Sequence, residues 1–112
     1  MKSQTGRNDR ATLNQQYLPR LSVKNADELT ARSEQRSARV RATLDAVLDI
    51  PYGDSPRQTL DVFPAASPNA PVLVFIHGGY WRAPNLTKST YSHLAQPFGR
   101  AGAAVVLPEY DL

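Results

Sequence analysis

The stretch Val72–Arg82, VLVFIHGGYWR, constrains this chain more than any other. Five consecutive apolar residues, Val72 to Ile76, run into His77, two glycines and two large aromatics. An apolar run without alternation is the pattern of a strand covered on both faces, as in parallel sheets. The Gly78-Gly79 pair marks a place where the backbone turns sharply or lies close to another group. Open α/β sheets bind ligands at the carboxyl ends of their strands, so His77–Trp81 is a candidate ligand-facing edge.

The flanking sequence supplies a sheet for that strand. Val47–Tyr52 alternates, with Leu48, Ile50 and Tyr52 on one face, and Thr59–Phe63 is a second short strand. Gly53-Asp54-Ser55-Pro56 between them is turn chemistry, which predicts a hairpin. Pro64–Pro71 is a loop. Leu86–Gly102 predicts a helix, because Tyr91, Leu94, Ala95 and Phe98 fall at helical spacing, with Pro97 as a kink or stop. Ala103–Leu107 is a second buried-strand pattern. The strand–helix–strand order predicts a right-handed crossover and a parallel pair. The fold class is therefore α/β, with a hairpin ahead of a β-α-β parallel unit over residues 47–112.

Residues 1–46 form an arm ahead of this body. Met1–Arg10 is polar and expected to fray. Ala11–Leu21 allows a brief helix limited by Pro19. Asn25–Ala46 predicts a longer helix: Asn25 is a good N-cap, Glu28 stands three residues on, and Val40, Leu44 and Val47 make a narrow apolar stripe. Arg32, Arg36, Arg39 and Arg41 read as a solvated face with alkyl stems over apolar surface, an anion patch being the lesser alternative.

Composition narrows the function classes. The 112 residues carry 13 Lys/Arg against 10 Asp/Glu, a net charge of +3, spread over both halves. No basic run is interleaved with aromatics, so nucleic acid is not an expected partner, and a nucleic-acid-binding role on the arginine face is a remote alternative. No apolar stretch approaches the ~20 residues of a membrane span. MKSQTGRNDR lacks a signal-like apolar region, and a cytoplasmic location is expected. With no cysteine, disulfides, thiolate metal sites and thiol nucleophiles are excluded. The two histidines, His77 and His93, have no metal-ligand spacing.

Three site readings follow from the residues. The backbone N–H groups of Gly78, Gly79 and Tyr80 can converge on a negative oxygen, as acyl transfer requires; the same residues also suit a tight turn. His77 is placed to brace that loop, with a general-base role as the alternative. His93 lies off the apolar stripe and is expected at the surface. The chain contains no Gly-x-Ser-x-Gly. Ser55, held between Asp54 and Pro56 in the turn, is a poor nucleophile candidate. Glu109 and Asp111 follow a strand end and can face the site.

These residues resemble a known family. HGGYW at His77–Trp81 is similar to the His-Gly-Gly-x-Trp motif of α/β-hydrolase esterases related to kynurenine formamidase (arylformamidase). Tyr52-Gly53 with Thr59–Phe63 resembles the family's lead-in to that motif, and Trp81-Arg82 and Pro108–Leu112 resemble its third and fourth strand ends. The resemblance implies a serine hydrolase that acts on small esters or N-formyl amides without a cofactor. It implies an oxyanion hole at Gly78, Gly79 and Tyr80, shaped by His77 and Trp81. It also implies that the Ser, acid and His of the triad, in that order, lie beyond residue 112. On this reading the chain is the N-terminal portion of a longer hydrolase, inactive alone. The alternative is a truncated, non-catalytic paralogue that self-associates or pairs with a partner through an open sheet edge.

Overall fold

The computed structural model describes residues 9–112, apart from the side chains of residues 19 and 20. It divides into two compact units between Ala31 and Arg32. The expected frayed start falls largely on residues 1–8, outside the described residues.

In the first unit, α1 (Arg10–Tyr17) begins where the Asp9 side chain accepts the Thr12 N–H at 2.7 Å, a helix N-cap. Arg10, expected to fray, is thus helical. Leu18 is extended (φ −107°, ψ 97°) and α2 (Pro19–Ser22) starts on the proline. A residue before proline is driven out of the helical region, which separates two short helices rather than joining them. The next helix, α3 (Ala26–Thr43), starts in this unit and continues into the second. It begins and ends within a few residues of the expected Asn25–Ala46.

The second unit is built on a four-stranded sheet: β1 (Val47–Pro51), β2 (Thr59–Phe63), β3 (Val72–Val74) and β4 (Ala104–Pro108), in the order β1-β2-β4-β3. β1 and β2 form the expected antiparallel hairpin, β2 pairs antiparallel with β4, and β3 pairs parallel with β4. Val40 of α3, Phe63, Ala95, Val105 and Leu107 are the buried core. The architecture is α/β, with a mixed sheet. No helix among the described residues is long and apolar enough to cross a membrane.

Four details differ from expectation. Regular pairing of β3 stops at Val74, although the Phe75 N–H still donates to Val106 O at 3.0 Å. β3 lies at the sheet edge, as an incomplete sheet implies, but Val72, Val74 and Ile76 are exposed rather than covered on both faces. The single helix expected over Leu86–Gly102 is a 3-10 helix, Lys88–Leu94, followed by α4, Ala95–Arg100. Thr87 and Thr90 cap the 3-10 segment reciprocally, and Pro97 sits in the first turn of α4, where its missing N–H is least costly. Arg41 is not a solvated arginine: its guanidinium lies 2.5 Å from the fully buried Asp61 carboxylate.

Asp61 ties four segments together. Its Oδ2 accepts from Arg41 of α3, and its Oδ1 accepts from Lys88 Nζ (2.8 Å) and the Asp49 N–H (2.8 Å). The β1 register shifts between Val47 and Ile50, and Asp49 there adopts φ 58°. Asp tolerates that left-handed geometry better than most side chains, and the bulge turns the Asp49 backbone toward Asp61. Lys88 Nζ also lies 2.5 Å from Asp49 Oδ1, which holds the Asp49 carboxyl below its ordinary range. This cluster fixes the start of the 3-10 helix, the element that closes the loop carrying the site.

Candidate active site

β3 delivers the chain to the site. After Val74 the backbone leaves the sheet through Phe75, Ile76 and His77, then turns over Gly78–Arg82 before reaching Lys88. Gly79 has φ 128°, and a Cβ there would sit 3.2 Å from the Ala83 Cβ. Glycine at this position is demanded by conformation and space together. Gly78 is different: its backbone has no left-handed φ, and a Cβ would meet nothing within 4 Å. The fold of this unit does not require glycine at 78, and the space beside it is open.

Tyr80 and Trp81 follow with φ 54° and 55°. Consecutive left-handed non-glycine residues are costly and need support from their surroundings. Here the Arg82 and Ala83 N–H groups both donate to Gly79 O, at 3.0 and 3.1 Å, closing the turn. Among the described residues, the N–H groups of Gly78, Gly79 and Tyr80 donate to no protein acceptor. They border an open cleft of about 490 Å³ walled by Ile76, Trp81 and Tyr110. Tyr80 and Trp81 are 87% and 71% exposed, so the rim of the cleft is aromatic.

His77 lies beneath this loop. Its side chain is 1% exposed, with Nε2 2.5 Å from Glu109 Oε1 and Nδ1 2.8 Å from Gly78 O. The ring stacks on Tyr110 (centroids 4.5 Å apart) and on Tyr91 (5.9 Å). Tyr110 Oη donates to His77 O at 2.6 Å. Both ring nitrogens are engaged and the ring is covered, so no imidazole nitrogen is open to a nucleophile. His77 thus props the Gly78 carbonyl from below while its own carbonyl is held by Tyr110.

Glu109, which follows a strand end and is expected to face the site, is 5% exposed and lies underneath, against the ring. Its Oε1 also accepts from Arg57 (2.9 Å), and its Oε2 accepts the Lys88 N–H (3.0 Å). Burial pushes the Glu109 carboxyl up, but the His77 hydrogen bond and charge and the Lys88 and Tyr110 N–H groups outweigh it, holding the carboxyl below its ordinary value. The pairing of Glu109 with His77 was not legible in the sequence, where 31 residues separate them.

Ser55, Ser37 and His93 make structural contacts. Ser55 Oγ donates to Asp111 and no histidine adjoins it. His93 is not a free surface histidine. Its Nδ1 lies 3.0 Å from Ser37 Oγ, and its N–H donates to the same oxygen at 3.0 Å. Ser37 resembles an activated serine on paper, but it is 2% exposed and its hydroxyl is 2.7 Å from Thr90 O, an acceptor. A buried hydroxyl already committed to a carbonyl does not attack a substrate.

Comparison with known proteins defines the class. No family model matches the chain. It is 36% identical over 76 residues to the kynurenine formamidase of Danio rerio, covering 66% of this chain and 25% of that protein. It is 31% identical over 81 residues to the kynurenine formamidase of Salmo salar, covering 70% and 27%. A crystal structure of a candidate thioesterase from Silicibacter sp. superposes with a TM-score of 0.75 and 33% identity, over 93% of this chain and 38% of that one. The fold and these similarities define part of an α/β-hydrolase. Within that class, the chain is kynurenine formamidase-like. It spans about a quarter of the length of the formamidases it matches.

Proposed function

We propose that this chain supplies the oxyanion side of a serine hydrolase that cleaves small esters or N-formyl amides. The observation that carries the reading is the Gly78–Tyr80 turn: three successive backbone N–H groups, without an acceptor among the described residues, border an open cleft, at a glycine the local packing does not require. Donors already fixed in place stabilise the negative oxygen of a tetrahedral intermediate without reorganising during the reaction, and each is worth roughly 3–4 kcal/mol. His77 orients the turn from below, and Trp81 walls the acyl side.

The nucleophile, its acid and its general-base histidine are then supplied by residues outside this sequence, which has no Gly-x-Ser-x-Gly. On this reading the 112 residues alone do not turn over substrate. The chemistry needs no metal and no organic cofactor. Likeness to kynurenine formamidases favours the N-formyl amide of an aromatic amine as substrate, with simple aryl esters passing through the same oxyanion. The test is turnover of N-formylkynurenine and p-nitrophenyl acetate by the hydrolase polypeptide that carries this segment. Hydrolysis of either supports the class, and preference for the first supports the formamidase assignment. Turnover of neither contradicts the proposal.

A second reading is a non-catalytic module that pairs with another copy of itself along the edge of β3. The exposed Val72, Val74 and Ile76 favour it. A stable oligomer of the 112-residue chain that gains no ester hydrolysis when its edge is complemented would support it.

A further inference from the structure

The loop that carries the site leaves β3 after Val74, turns beyond His77 and rejoins regular structure at Lys88. One carboxylate meets both points. Glu109 Oε1 takes His77 Nε2 at 2.5 Å, and Glu109 Oε2 takes the Lys88 backbone N–H at 3.0 Å. Glu109 is itself fixed to the sheet, because its N–H donates to Thr59 O at 2.8 Å and its carbonyl accepts from Tyr52 Oη. We propose that Glu109 is the positioning residue of the oxyanion loop: each of its two oxygens pins one end of the loop to the end of β4, setting where the Gly78–Tyr80 N–H groups point. The inference rests on the oxyanion reading of that loop and adds what holds it in shape.

The chemistry of the clamp is specific to a carboxylate. Both loop contacts are donors, so both of its oxygens must accept, and an ionised carboxylate is acceptor-only. A glutamine of the same size presents one acceptor and one N–H₂, which must face either the His77 N–H or the Lys88 N–H. Arg57 offsets the buried charge, at 2.9 Å from Oε1, and its Nε donates to Tyr110 O at 2.8 Å. The other titratable groups around the clamp are occupied elsewhere. Tyr110 Oη donates to His77 O, Tyr91 stacks on the His77 ring, and the Lys88 ammonium lies on Asp61 and Asp49. Protonation of Glu109 turns one of its two oxygens from acceptor into donor and so opens the clamp.

Trp81 is the only tryptophan in the sequence, so its fluorescence reports the loop directly. In the 112-residue chain, Glu109→Gln is expected to add a fast component to the Trp81 anisotropy decay and to speed hydrogen exchange at the Lys88 amide by about tenfold or more, the loss of a charged hydrogen bond. The Val62 and Val106 amides, in the paired strands β2 and β4, should keep their protection. Unchanged Trp81 and Lys88 signals overturn the proposal, as does equal loss at Val62 and Val106, which would mark general destabilisation. Should the variant fail to fold, the wild-type chain decides: Trp81 anisotropy and Lys88 exchange must shift together in one acid transition below the ordinary glutamate range, and independent behaviour overturns the clamp. None of these readouts requires turnover, so failure of the hydrolase reading and failure of the clamp are separable.

Discussion

Lys88 Nζ and Asp61 Oδ1 lie 2.8 Å apart with side chains 5% and 0% exposed, and the pair joins the start of the 3-10 helix to the middle of β2. Arg41 completes the charge balance from α3. Removing one member of a buried ion pair leaves an uncompensated charge and typically costs about 3–5 kcal/mol. Asp61→Ala, which strands the Arg41 guanidinium and leaves Lys88 only the exposed Asp49, is expected to cost about 3–5 kcal/mol in urea unfolding. Lys88→Met should cost less, because Arg41 still neutralises Asp61 and the new side chain packs without charge.

The two glycines of the site should separate fold from function. Gly79→Ala places a Cβ against Ala83 at a left-handed φ, and a loss of about 1–3 kcal/mol is expected by thermal or urea unfolding. Gly78→Ala has open space and no left-handed φ. Its stability should stay within about 0.5 kcal/mol of the parent chain.

Stability should fall on the acid side through Glu109. Its folded-state carboxyl is held below the ordinary glutamate value by His77 and by the Lys88 and Tyr110 N–H groups, against the opposing effect of burial. A depressed folded value contributes stability that is complete above the unfolded value, near 4.5, and is lost as pH falls through the folded one. Urea midpoints measured from pH 6 downward, about the span of carboxylate titration, should drop less steeply in Glu109→Gln than in the wild-type chain.

The β3 edge should promote association. Val72, Val74 and Ile76 present an exposed apolar row beside unpaired strand edge. Natural sheets commonly protect such edges with an inward or flanking lysine. Val74→Lys is therefore expected to shift the sedimentation profile toward monomer at concentrations where the parent chain associates. An identical profile for the two would remove the edge as the cause.

Local pattern made much of this structure legible. The hairpin was readable from alternation at Leu48 and Ile50 and from the Gly53–Pro56 turn, and the β3–β4 parallel pair from two apolar runs joined by a helix-length connection. The loop residues His77–Trp81 were readable because glycines and a strand end are sequence-local signals. What sequence did not reveal was set by tertiary partners. Arg41 reads like its exposed neighbours Arg36 and Arg39 until β2 brings Asp61 beneath it. Glu109 is one acid among several after a strand until the crossover lays β4 beside β3 and sets it against His77. The 3-10 form of Lys88–Leu94 has the same cause: Lys88 is fixed by Asp61 and Glu109, and helical spacing alone does not distinguish a 3-10 turn from an α turn. Apolar residues at every position in β3 implied two covered faces, whereas in this unit one face is bare.

The most direct test of the oxyanion assignment is kcat for p-nitrophenyl acetate in the hydrolase polypeptide carrying this segment, compared between wild type and Gly78→Ala. The new methyl group enters the open space beside the Gly78 N–H, where the substrate oxygen would lie. The account predicts a fall in kcat of about 100-fold, the scale of losing one oxyanion donor, with KM and unfolding midpoint little changed. Turnover equal to wild type in a folded Gly78→Ala protein would contradict it.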